Sequence, residues 1–249
     1  MLSALASLLL SASPGDGAAL DIHSFQVVKQ SSGPVDYYQV ETGPDGAFLA
    51  ARYHPPLDTV VRGIEVPESF RRTLAGVRWR WRVRTFPKGG DDCNPQVGDA
   101  AAGVFATFKS GVKVMVIKYV WNSVGPANRS CELANNVFFA KREVVIRSGG
   151  ALDTWHTETV DPRRDFVRYF GGKLEDVPDV VGLAVLTDGD ATNSPSEADY
   201  ADFVLLDGQP QPDAGRAQGR AAGQLADAGS EELAPRSPGG KEADPGPGR

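Results

Sequence analysis

Two short stretches carry side chains that could recognise a polyhydroxylated ligand. Gly89-Gly90-Asp91-Asp92 and Trp121-Asn122-Ser123, followed by Asn128, place carboxylates, carboxamides and an indole in two predicted loops. Planar carboxylates and amides engage vicinal hydroxyls, and an indole stacks on the apolar face of a pyranose, so Asp91, Asp92, Trp121 and Asn122 are candidate ligand-binding residues. Asp188-Gly189-Asp190-Ala191-Thr192-Asn193 concentrates hard oxygen donors. Asp188, Asp190 and Asp202 are therefore candidates for ligand binding and for a structural calcium. The run is not an EF-hand loop, because its sixth and twelfth positions hold Asn193 and Asp199 where that loop requires Gly and Glu. Arg78, Arg80, Arg82 and Arg84 could receive an anionic polymer, since guanidinium forks match carboxylate and sulfate oxygens. A solvated outer face with cross-strand acidic partners is the preferred reading of them. His156 and Glu158 stand two apart on a predicted strand and share a face, as an acid/base pair would. Nothing places a nucleophile beside them. GxSxG, HExxH, P-loop and dinucleotide motifs are absent from the sequence, and no catalytic residue is assigned.

The elements that must position these groups follow from a periodicity of two. Val77-Arg78-Trp79-Arg80-Trp81-Arg82-Val83-Arg84 puts two valines and two tryptophans on one face and four arginines on the other. Residues 104–108 and 112–121 read as a hairpin about Ser110-Gly111, and the second strand, apolar on both faces, is expected to be central. Residues 137–147, 154–160, 180–187 and 202–206 supply further strands, with weaker signals at 37–41, 46–52 and 59–66. Trp155 alternates with His156 and is expected in the core. One helix is signalled: Asp161 offers a cap, Pro162 suits the first helical position, Phe166, Tyr169 and Phe170 share a face, and Gly171-Gly172 can close the C-terminus. The predicted fold class is all-β with one short helix, a two-sheet antiparallel β-sandwich of jelly-roll type.

Cys93 falls in the loop between the strands ending near Arg84 and starting near Val104, and Cys131 in the loop between Trp121 and Val137. Loops two strands apart in an antiparallel meander emerge at the same end, so a Cys93–Cys131 disulfide is expected. A zinc site would need at least two further soft ligands. The chain has 249 residues, a formal charge of −6 and 41% hydrophobic residues. That composition allows one fair-sized domain and offers no broad basic footprint for nucleic acid. Residues 2–12 are apolar but too short to span a bilayer, and Gly17 and Ala19 fill the −3 and −1 positions of a cleavage site before Leu20. Residues 1–19 therefore read as a signal peptide, and the protein as periplasmic or secreted with no transmembrane segment, although no Lys or Arg precedes Lys29. From Gln209 onward there is no Phe, Trp, Tyr, Ile, Val, Met or Cys, so residues 208–249 read as a disordered Gly/Pro/Ala-rich tail. Residues 20–207 remain as the sandwich domain.

The ordered blocks WRWRV and PKGGDD (Trp79 to Asp92), VMVIKYVWN (Val114 to Asn122), NVFFAKREVVIRSG, WHTETVDPRRDFVRYFG, VGLAVLTDGDATN and ADYADFVLL resemble an exported bacterial family, domain of unknown function 3047. The likeness runs from about Phe25 to Leu206. It implies an exported sandwich of the galactose-binding, jelly-roll kind, and the closing strand through Tyr200-Ala201-Asp202-Phe203 is similar to the last strand of carbohydrate-binding modules. The family has no established activity. The chain departs from it in its cysteine pair, its polar tail and Asp190-Ala191-Thr192, where the family tends to Asp-Asn-Thr. The expected function is a non-catalytic exported sandwich that binds glycan at a loop rim or sheet face. An envelope or extracellular protein-interaction component and a polysaccharide hydrolase or lyase stand as alternatives. The partner is thus a polysaccharide or an envelope protein.

Overall fold

The computed structural model describes residues 17–30 and 36–208; most of the expected signal peptide, up to residue 16, and the expected tail beyond Gly208 lie outside the described residues. In chain order the strands are β1 (Ala18–Ala19), β2 (Gln26–Gln30), β3 (Tyr38–Gly43), β4 (Gly46–Tyr53), β5 (Val60–Glu65), β6 (Leu74–Thr85), β7 (Ala102–Ser110), β8 (Lys113–Asn122), β9 (Arg129–Asn135), β10 (Phe139–Ser148), β11 (His156–Val160), β12 (Asp179–Leu186) and β13 (Ser196–Asp207). Two helices, α1 (Glu68–Arg71) and α2 (Pro162–Phe170), complete the main elements. The first sheet has the order β11-β6-β13-β4-β3 with β1 added along β13, and the second β2-β5-β12-β7-β8-β10-β9. The protein is a two-sheet β-sandwich of jelly-roll type.

The alternation read from β6 is what closes the two sheets on each other. Val77, Trp79, Trp81 and Val83 are buried against Ile117, Tyr119 and Trp121 of β8. The helix signals act as their chemistry requires: the Asp161 side chain accepts from the Arg164 N–H, and Gly171, at φ 84°, donates its N–H to the Val167 carbonyl. Phe166 then packs its ring 4.8 Å from that of Phe108.

The antiparallel meander breaks at one place. β9, where the sequence predicts a loop, lies at the sheet edge, and β10 inserts between it and β8, so β10 runs parallel to β8. An edge strand buries neither face fully, and Arg-Ser-Cys-Glu-Leu-Ala-Asn carries no clean period of two for that reason. Cys131 therefore sits on a strand, opposite Glu143, and not in a loop. The Cys93–Cys131 disulfide is nevertheless present, tying the 86–101 connection to the sheet edge. A 38-residue separation corresponds to roughly 3–4 kcal/mol of loop-closure entropy. Reduction is expected to lower Tm by about 6–15 °C in a thermal melt followed with and without reductant. An unchanged Tm would mean that the unfolded chain gains nothing from release of the bridge.

The connections place the loops at two ends. β6–β7, β8–β9, β10–β11 and β12–β13 turn at one end, the rim predicted to bind sugar. The β7–β8 and β9–β10 turns, α1 and the α2–β12 connection lie at the other. The described chain enters from this second end, since Ala18 pairs with Leu205 near the close of β13.

Candidate functional site

The predicted rim is folded inward. The 86–101 connection lies over the outer face of the second sheet, where Ala100 and Cys93 pack on Val120 and Val145. Beneath it four ionisable side chains meet: Lys118 from β8, Glu143 from β10, Asp92 from the connection and Asp188 from the loop after β12, all buried. Lys118 Nζ lies 2.7 Å from Asp92 Oδ2, and Lys141 Nζ 2.7 Å from Glu143 Oε1. Gly103 makes room for the lysine stem, because a Cβ there would fall 2.6 Å from Lys118 Cε. Burial opposes the Lys118 charge, but Asp92, Asp188 and Glu143 outweigh it and hold the ammonium above its ordinary pKa. Burial likewise opposes the Asp92 carboxylate, and Lys118 outweighs it to leave Asp92 below its ordinary value. Glu143 goes the other way: burial, reinforced by the Asp92 charge, pushes it up to about 8. Asp188 is pushed up to about 7 by burial, with Asp92 and Asp99 adding to it.

Glu143 is thus a neutral acid beside a carboxylate, the protonation pattern of a catalytic carboxyl pair. Its geometry denies it that role, because no part of Glu143 reaches solvent and Asp92 is only 4% exposed. The network holds the connection to the sheet. Its protonation has a consequence for stability. An unfolded Glu143 releases its proton near pH 4.5, whereas the folded one keeps it to about 8. Between those values the native state binds more protons, so stability falls as pH rises through the window. Glu143→Gln should flatten this decline in a pH series of denaturant melts. Equal slopes in the two proteins would place the Glu143 pKa elsewhere.

The other predicted rim residues are spent on the same scaffold. Asn122 donates from Nδ2 to Asp91 Oδ1 at 2.9 Å and accepts from the Asp92 N–H at 3.2 Å, and Asp91 also pairs with Arg129. Trp121 is 1% exposed and donates from Nε1 to the Gly149 carbonyl at 2.8 Å. The expectation of a stacking face there is corrected: Met115, Ile117, Tyr119 and Trp121 continue one inward stripe of β8. With Asp92 and Asn122 also buried, no sugar-binding rim forms from these groups.

The acidic loop after β12 gains a member that the sequence reading missed. Asp99, Asp188 and Asp190 each bring a carboxylate oxygen within 4.8 Å of the others. Hard oxygens at that spacing suit calcium. Asp99 accepts from the N–H groups of Ala191 at 3.1 Å and Thr192 at 2.6 Å, and Asp188 from that of Ala100 at 2.8 Å. Asp202 lies apart from this group and pairs with Arg80 on the first sheet. A bulge accounts for its position. Asp202 adopts φ 54° at a register shift in β13, so Ala201 and Asp202 both face outward between inward Tyr200 and Phe203.

His156 and Glu158 pair in register with Trp81 and Trp79 and so face the sandwich interior. Glu158 accepts from Trp81 Nε1 at 3.2 Å and pairs with Arg147. His156 meets the Trp121 ring edge-on at 5.1 Å, with its pKa lowered by burial and by Arg147. No hydrogen bond joins the two, so they form no acid/base couple.

The arginine face of β6 remains half-open to solvent. Its cross-strand acidic partners are present: buried Asp199 takes Arg52 at 2.6 Å, Arg82 at 2.6 Å and Arg84 at 2.9 Å, while Arg84 also reaches Asp153 at 2.8 Å. Trp155 belongs to this face and not to the core. It points away from His156 as expected, but that direction is the outer side of the sheet, where it packs on Phe48, Ala50 and Ala201. The guanidinium groups of Arg82 and Arg80 lie 4.5 and 5.1 Å from its ring centroid, and Phe48 meets it edge-on at 5.9 Å. Together with the β3–β4 turn they line a shallow hollow of about 30 Å³.

Comparison with known proteins agrees with the sequence blocks. The family model described as protein of unknown function (DUF3047) matches residues 65–204. No curated protein matches the chain. Among solved structures, the chain is similar to the xyloglucanase domain of NopAA, a type three effector from Sinorhizobium fredii, in complex with cellobiose. That pair has 11% identity and a TM-score of 0.40, covering 77% of this chain and 98% of that one. It is also similar to the family 11 carbohydrate-binding module of the cellulosomal cellulase Lic26A-Cel5E of Clostridium thermocellum, at 9% identity and a TM-score of 0.36, covering 76% and 97%. A third similar structure is Trichoderma harzianum endoglucanase 3 from family GH12, at 8% and 0.37, covering 73% and 96%.

Proposed function

The chain belongs to the DUF3047 family, and from that premise we propose that it is an exported, non-catalytic sandwich that binds glycan on the outer face of its first sheet. The observation that supports this reading is the strip around Trp155. An indole, two guanidinium groups and Asp45 of the β3–β4 turn line one hollow, and Asp202 pairs with one of those guanidinium groups, that of Arg80. Stacking and ion pairing hold the indole and the guanidinium groups in place before a ligand arrives, which lowers the ordering cost of binding. Pairing also leaves the strip without a large excess of either charge, which suits a neutral hydroxylated ligand better than an anionic polymer. Export is supported by the apolar segment before Gly17 and by the disulfide, since such bridges persist in oxidising compartments.

The test is retention of the full chain on a panel of insoluble and soluble polysaccharides, with released oligosaccharide measured in the same tubes, in calcium and then in chelator. Trp155→Ala is expected to weaken retention about tenfold while the circular dichroism spectrum stays native. Wild-type retention in that variant, or none by the wild type across the panel, would overturn the assignment. Released oligosaccharide would overturn its non-catalytic part.

A further inference from the structure

One member of the arginine strip on β6 has no partner among the described residues. Arg52, Arg80, Arg82 and Arg84, on the outer face of the first sheet, are each held by a carboxylate. Arg78, two residues beyond Arg80 on the same face, is exposed, and its side chain makes no ion pair or hydrogen bond among the described residues. Its row across the sheet consists of Thr159 on β11, Val204 on β13 and Ala19 on β1, none of them charged. Asp202, on the Arg80 side, is neutralised by Arg80. Arg78 therefore presents its whole guanidinium fork to solvent, with no carboxylate of its own row to compete for it.

Two observations decide what that fork can take. The first is its position: outward residues of a strand follow one another at about 7 Å, so Arg78 lies one such step past Arg80, which lines the hollow with Trp155. A chain whose one sugar stacks on Trp155 brings its neighbouring sugar toward Arg78. Exposed Thr157 and Thr159, opposite Arg80 and Arg78 on β11, border that path with hydroxyl groups. The second is the sign of the charge in the hollow itself. Asp45 lines it, exposed and without an ion pair among the described residues. A carboxylate there accepts hydrogen bonds from the hydroxyls of a neutral sugar and repels an acidic one. An acidic sugar is thus turned away from the hollow and received at Arg78, whose planar fork matches a planar carboxylate. One free fork among paired ones takes one acidic group and not a run of them.

We infer that Arg78 sets the specificity of the glycan face: the ligand is a polysaccharide in which an isolated uronic acid neighbours the neutral sugar held at Trp155, its carboxylate taken by the Arg78 fork. The inference rests on the glycan reading proposed for Trp155, and its test separates the two. Glucuronoxylan and a glucuronate-bearing arabinogalactan, each native and with its carboxyl groups reduced to hydroxymethyl, are titrated against the full chain. The wild type is expected to bind the native form of at least one of them about tenfold more tightly than the reduced form, as a charge-assisted hydrogen bond contributes, and to lose that advantage at high salt. Arg78→Gln should bind both forms alike, with the affinity that the wild type has for the reduced one. Arg78 is exposed, so the circular dichroism spectrum of the variant should stay native. An undiminished preference in Arg78→Gln would overturn the inference. So would a wild type that is retained on neutral polysaccharides but prefers no native form to its reduced one, and the glycan face would then stand without it. A wild type that binds neither these polymers nor the neutral ones would overturn the glycan reading and the inference together.

Discussion

Lys118→Met is expected to reduce the unfolding free energy at neutral pH by about 3–5 kcal/mol, as removal of one partner from a buried charge network does. The methionine fills most of the lysine's volume, so the loss is electrostatic. Without the ammonium, the Asp92 carboxylate keeps its burial and the Glu143 hydrogen bond that favours it, but loses the charge that outweighed the burial. Asp92 and Asp188 must then take up protons, and the deficit should grow as pH rises. Restoring neutrality is the control: Lys118→Met combined with Asp92→Asn and Glu143→Gln should recover much of the loss, because an uncharged set needs no counter-ion. Denaturant unfolding of the single and combined variants measures both effects. A single variant as stable as the wild type at pH 7 would show that solvent reaches this network and that the 86–101 connection does not seal it.

Lys118 also shows what the sequence could and could not reveal. Val-Met-Val-Ile-Lys-Tyr-Val-Trp-Asn reads as a strand apolar on both faces, and a lysine in its middle is the one residue that contradicts a simple core. Its partners come from a connection, from β10 and from the loop after β12, separations that periodicity does not encode. β6 and β8 were legible from their apolar faces, the α2 boundaries from a cap, a proline and a glycine pair, and β13 only over residues 202–206, because the polar start of the strand at Ser196-Glu197 carries no apolar face. β9 was not, since an edge strand is marked only by its neighbours. The disulfide was legible although the meander argument behind it was not: the bridge follows from the 86–101 connection lying against the sheet edge, which a parallel β8–β10 pair creates. The polar residues chosen as a rim failed for a related reason. Residue type announced sugar chemistry in Asp91, Asp92, Trp121 and Asn122, but the period of two had already turned Trp121 inward. Trp155 is the converse case: alternation with His156 turns it away from that residue, and because His156 faces inward the indole lies on the outer side of the sheet and not in the core.

Trp79 and Trp81 are both fully buried on the same strand, and truncating either to alanine should remove about 3–5 kcal/mol. Their conservative replacements should separate them. Trp81 Nε1 donates to Glu158, which Arg147 also holds, so Trp81→Phe discards a hydrogen bond to a charged acceptor together with the lost ring volume. Trp79 Nε1 is buried with no hydrogen-bond partner among the described residues. Trp79→Phe therefore leaves a smaller ring but also removes an unsatisfied donor whose burial is itself unfavourable. The expected result is that Trp81→Phe costs roughly 1.5–3 kcal/mol more than Trp79→Phe, a difference set by hydrogen bonds to charged groups. Equal losses by denaturant unfolding would mean that the Trp79 N–H is satisfied, by water at that depth. The strand's other face reads the same difference independently. Trp81 pairs with His156, the residue next to Trp155, whereas Trp79 pairs with Glu158 further along β11, so loosening Trp81 disturbs the end of β11 that Trp155 leads into. Trp81→Phe should thus weaken glycan retention as well as stability, whereas Trp79→Phe, deeper along the strand, should leave retention near that of the wild type.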